Sequence, residues 1–102
     1  MTDDTKRLTA ELEAAYDLEE GFLGLLRGGH LDSLARDRFL RLIQSIELVP
    51  ADTIDRRLVA LLWYVPLFMQ WQLERLDDEE QATLRAAIDQ VTNQLERILG
   101  VP

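Results

Sequence analysis

The chain has 102 residues, 47% of them hydrophobic and 29% charged, the proportions of one ordinary globular domain rather than of a disordered segment. With no cysteine and a single histidine, it excludes disulfides, thiolate metal sites, a cysteine nucleophile and any site built on two imidazoles. Nineteen acidic against eleven basic residues give a net charge of -8, and the imbalance is even: ten acids and six bases in residues 1–50, nine and five in 51–102.

No basic stripe exists to neutralise a phosphate backbone, so nucleic acid is not an expected partner. Ten of the eleven cations are arginine, a bias that a GC-rich genome would be enough to give. The segment Met1-Thr2-Asp3-Asp4-Thr5 is acidic where an export signal needs cations followed by an apolar run. The longest apolar stretch, Leu58 to Met69 with Pro66 counted, is twelve residues, well short of the roughly 18–20 that span a bilayer. The expectation is a cytoplasmic chain with no membrane segment.

The hydrophobic pattern is helical from end to end, with no alternating run that would mark a strand. Helix one is expected to start after a cap at Asp4 or Thr5, with an apolar stripe at Leu8, Leu12, Ala15, Phe22 and Leu26. Gly21 and Gly24 weaken its second half by about 1 kcal/mol each, so a kink or break is expected near Glu20–Gly21, and Gly28-Gly29 stops it. Helix two starts at Asp32 or Ser33, buries Leu34, Ala35, Phe39, Leu42, Ile43 and Ile46, and ends before Pro50. Arg36, Arg38, Arg41 and Gln44 fall on its other side.

Helix three is expected to take Asp52 as its cap and Asp55 as a first-turn anion, and to run from 53 to about 76 with a kink at Pro66. Its stretch from Ile54 to Val65 is apolar on nearly every side, the pattern of the most buried helix of a domain. The last helix has Leu76 as a hydrophobic staple, Asp77 or Asp78 as cap and Glu79 and Glu80 as first-turn anions. Its stripe is Leu84, Ile88, Val91, Leu95 and Ile98, and it stops at Gly100. The fold expected is therefore a single all-α domain over 1–102, a compact bundle of four to five helices whose central apolar helix is kinked at Pro66.

Little in this pattern points to catalysis. Asp77-Asp78-Glu79-Glu80 lacks the turning loop that calcium needs, and dipole complementarity at a helix start accounts for it. A di-metal carboxylate bundle needs a Glu-x-x-His on each of two helices, which one histidine cannot supply. His30 has neither a nucleophile nor an orienting carboxylate fixed beside it by the local sequence. The glycines at 21, 24, 28 and 29 have no strand before them and no phosphate-loop lysine, so they read as packing points and a helix stop. No enzyme activity, metal or cofactor is expected.

Around Pro66 the sequence is more informative. Trp63, Tyr64, Phe68 and Trp71 lie within nine residues, with Tyr64, Phe68 and Trp71 spaced to share one side of a helix and Arg75 one turn beyond. Trp63, Leu67 and Gln70 lie on an adjacent strip. Core packing accounts for part of this surface; the rest is a candidate binding face, with Gln70, Gln72 and Arg75 as its polar rim. The function expected is a small acidic protein-binding domain, an inhibitor or antitoxin of the immunity-protein kind that holds a basic protein partner. Its expected contact residues are Asp17, Glu19, Glu20, Tyr64, Phe68, Trp71, Arg75, Asp77, Asp78, Glu79 and Glu80. The alternatives are a homodimeric scaffold that pairs through the aromatic strip, or a bundle with a small apolar ligand pocket near Pro66.

Overall fold

The computed structural model describes residues 3–47 and 55–100. Among these the secondary structure is entirely helical: α1 Asp3–Ala14, α2 Phe22–Arg27, α3 Ser33–Gln44, α4 Arg56–Trp71 and α5 Asp78–Leu99, with a 3-10 turn at Leu73–Arg75 between the last two. α4 is the hub, packed against α1, α2 and α5, while α3 closes the bundle against α2 and α5. One core receives side chains from every helix, with Leu12, Leu23, Leu26, Ile43, Leu58, Leu62, Val65, Met69, Leu84 and Val91 fully buried. Each such aliphatic side chain contributes about 1.5–3 kcal/mol of transfer free energy.

The break in helix one falls earlier than its glycines suggest. α1 already includes Asp3, which overturns a cap at Asp4 or Thr5, and it stops at Ala14. The Ala15 carbonyl then accepts from both Leu23 and Gly24 amides, at 2.9 and 3.2 Å, so the end of one helix satisfies the start of the next. Asp17 holds the intervening turn by accepting from the Glu19 and Glu20 amides. This fold-back presses the turn onto glycine backbone. A Cβ at Gly21 would lie 2.3 Å from the Ala15 oxygen, and one at Gly24 only 1.9 Å from the Asp17 oxygen.

Asp32 caps α3 through the Ala35 amide at 2.8 Å. Phe39, Ile43 and Ile46 are buried as their spacing requires, but Leu34 is 64% exposed; it lies in the first turn, where no neighbouring helix covers it. α3 ends at Gln44, and its free carbonyls are met from α5. The Arg97 guanidinium donates to the carbonyls of Ile43, Gln44 and Ile46 at 3.4, 3.2 and 2.9 Å.

α4 takes Asp55 rather than Asp52 as its cap, through the Arg57 amide at 2.7 Å; Asp52 lies outside the described residues. The helix runs unbroken through Pro66, which has no N–H to offer Leu62. It stops at Trp71, short of the expected 76, where the chain tightens into the 3-10 turn and then extends at Leu76 to enter the next cap. α5 opens on a reciprocal capping box between Asp77 and Glu80. The whole predicted stripe of Leu84, Ile88, Val91, Leu95 and Ile98 is buried, and Gly100 ends the helix with a φ of +86°.

Candidate functional site

α4 is not apolar all round because it is buried all round. One side packs inward through Leu58, Leu61, Leu62, Val65, Phe68 and Met69. The opposite side leaves Trp63 64%, Trp71 56%, Tyr64 43% and Leu67 39% exposed. These four side chains form one stripe on a single helix face. Their exposed area is roughly 450 Å² given the size of aromatic side chains, within the range of the largest patches on monomeric proteins.

The aromatic rings are stacked into a fixed ladder. Trp71 meets Tyr64 edge-on with centroids 5.6 Å apart, Tyr64 lies 6.2 Å from Phe68, and Tyr16 at the end of α1 sits edge-on to Phe68 at 5.2 Å and 6.4 Å from Tyr64. Such edge-to-face contacts favour one geometry for Tyr64 and Trp71. Burial pushes the Tyr16 phenol up to about 12, with Tyr64 adding to the shift, and its buried hydroxyl has no hydrogen-bond partner.

The structure separates the expected contact residues by exposure and by the bonds they make. Tyr64 and Trp71 lie on the open stripe. Phe68 does not: it is buried at 9% exposure and supports the stripe from beneath. Gln72, expected on the rim, is also buried, donating to the Phe68 carbonyl and accepting from the exposed Arg75. Asp17, Asp77 and Glu80 are engaged in holding a turn and a helix cap; the amides of Glu19 and Glu20 keep the Asp17 carboxyl below its ordinary value. Glu19, Glu20, Asp78 and Glu79 are exposed, in the α1–α2 turn and the first turn of α5.

Trp63 and Leu67 are the residues that sequence reasoning set aside, and Trp63 is the most exposed aromatic of the stripe. A signal for them was present. Arg56, Ala60, Trp63, Leu67 and Gln70 follow one another along α4 at steps of 4, 3, 4 and 3, the heptad step of a helix-pairing seam, and every one of them is exposed, as is Glu74 in the 3-10 turn beyond.

Nothing comparable surrounds the other candidates. His30 is exposed in the α2–α3 turn, beside a shallow depression it shares with Leu25, Asp32 and Glu80. A groove between α1 and α3 is lined by Glu11, Glu20, Phe22, Arg38 and Phe39, away from Pro66, whose neighbours Leu62, Val65 and Met69 are sealed. Among the described residues no group of three or more His, Asp or Glu side chains is placed to hold a metal ion, and no helix is long and apolar enough to cross a membrane. The chain matches no family model, no curated protein and no solved structure.

Proposed function

We propose that this is a non-catalytic, cytoplasmic protein-binding domain whose contact face is the exposed side of α4. The observation that supports it is the stripe itself: four large apolar side chains, two of them tryptophan, left open on a helix that is otherwise the centre of the core. Tryptophan and tyrosine are the residues that dominate interface energetics, because they bury much area while losing few rotamers.

The class of partner follows from charge. At -8 the domain attracts basic proteins and speeds their encounter, and the exposed carboxylates of Glu19, Glu20, Asp78 and Glu79 meet such a surface without giving up an internal bond. An inhibitor or antitoxin that covers a basic protein, an immunity-type role, fits both features. The test is affinity capture from the source organism with the tagged chain, eluted in rising salt, with Trp63→Asp run in parallel. One stoichiometric basic protein, released by salt and lost in the variant, is the expected result. Equal capture by wild type and variant would remove the stripe from the account. A second reading, self-association through the same face, is favoured by the charges at its two ends.

A further inference from the structure

The exposed seam on α4 has a symmetry of its own. Reflected about position 65, Trp63 exchanges with Leu67, Ala60 with Gln70 and Arg56 with Glu74. All six side chains are exposed, and neither Arg56 nor Glu74 has a hydrogen bond or ion pair among the described residues, in contrast to Arg57, which is paired with Glu13 at 3.1 Å. Arg56 thus stands at the start of the seam and Glu74 at its end, in the 3-10 turn just past α4, with Ala60, Trp63, Leu67 and Gln70 between them.

We propose that in the free protein this face is occupied by a second copy of the same chain. Two α4 helices lie antiparallel across a two-fold axis near residue 65. A two-fold contact requires a surface complementary to itself. Here antiparallel pairing sets Arg56 of each copy against Glu74 of the other and packs Trp63 over Leu67, with Tyr64 and Trp71 flanking the seam on one side. Parallel pairing would instead set Arg56 beside Arg56 and Glu74 beside Glu74, which like-charge repulsion disfavours. The roughly 450 Å² of apolar stripe on each copy, taken from aromatic side-chain areas, and the polar seam residues beside it together approach the ~1,000 Å² lower bound of a specific interface.

The pairing rests on the reading of α4 as a protein-binding face and names its resting occupant. A basic partner that uses the same stripe must displace the second copy, whereas one that contacts only the carboxylates of the α1–α2 turn and the start of α5 binds the pair. Screening weakens the capture of a basic protein; in the pair it weakens the Arg56–Glu74 contacts while relieving the repulsion between two chains of charge -8.

Sedimentation equilibrium of the whole chain tests the pairing. Wild type is expected at twice 11.8 kDa in the micromolar range. Trp63→Asp is expected at the single-chain mass with an unchanged far-UV spectrum, since its side chain is largely exposed, and with a melting temperature that no longer depends on protein concentration. Arg56→Glu and Glu74→Arg should each weaken the dimer about tenfold through two reversed ion pairs, and the double reversal should restore it. A wild type that stays at 11.8 kDa at hundreds of micromolar overturns the proposal, as does a dimer untouched by Trp63→Asp or a double reversal that restores nothing. If the monomeric wild type still loses its partner on Trp63→Asp, only the pairing fails. If partner binding ignores that substitution too, the protein-binding role of α4 fails with it.

Discussion

Gly24 sits where a methyl group has no room, 1.9 Å from the Asp17 carbonyl oxygen at the Cβ position. Backbone rather than a yielding side chain stands there, so Gly24→Ala must part α1 from α2. We expect a loss of about 2–3 kcal/mol, at the upper end of what overpacking typically costs, read from urea unfolding. Gly28→Ala is the control: its φ is -83° and its nearest contact 3.4 Å, so a change of under about 1 kcal/mol, in the favourable direction, is expected. Equal effects at the two positions would contradict the close approach.

Tyr16 offers a second residue-scale test. Its phenol is held protonated up to about 12, against an ordinary value of 10.0. The unfolded chain therefore releases this proton first as pH rises. Stability is unaffected below pH 10, then declines between roughly 10 and 12 as the unfolded state binds fewer protons than the native one. Tyr16→Phe should flatten that decline and, by removing a buried hydroxyl without a partner, leave stability at neutral pH equal or higher. A decline of the same steepness in the variant would assign it to other groups.

At the scale of elements, the ends of helices carry the sequence's clearest information and also its largest omissions. Asp32 and Asp77 are legible as caps because the amide each one meets lies three residues away. The α5 stripe is legible because its 4-and-3 step repeats over four turns. Arg97 is not legible. Its bonds reach carbonyls 51 to 54 residues back, and no local pattern announces a contact across that distance. The early break after Ala14 was hidden for a related reason: the glycines mark where the chain folds back onto itself, not where the first helix stops. Likewise, a helix that is apolar on every side does not say which side its neighbours will cover, and this left Phe68 and Trp63 in each other's place.

Two predictions belong here. Arg97→Ala should cost about 1–2 kcal/mol, since three carbonyls at the end of α3 lose a charged donor, and Arg97→Lys should recover only part of it because an ammonium cannot span the three. Asp77→Ala should cost about 1 kcal/mol through loss of the cap, whereas Asp78→Ala, which removes the same charge one position later, should cost a few tenths. Chemical denaturation of the four variants decides both, and indistinguishable aspartate variants would reduce the capping box to a simple charge effect.

For the whole molecule, the central helix both builds the core and leaves one apolar face open, the face proposed to bind protein. Its inward side is closed by α1, α2 and α5, its outward side holds an exposed apolar stripe, and the surrounding chain is acidic. The chain's only two tryptophans, Trp63 and Trp71, both lie on that stripe. Their emission therefore reports directly on whether the face is covered, with no label and no background from the core. The most direct measurement is tryptophan emission and its quenching by acrylamide, followed from high protein concentration to extreme dilution and again after addition of a captured partner. Blue-shifted, quencher-protected emission is expected whenever a second chain is bound, returning to that of water-exposed indole on dilution. Water-exposed emission at every concentration, unchanged in the partner complex, would contradict the reading of α4 as a protein-binding face.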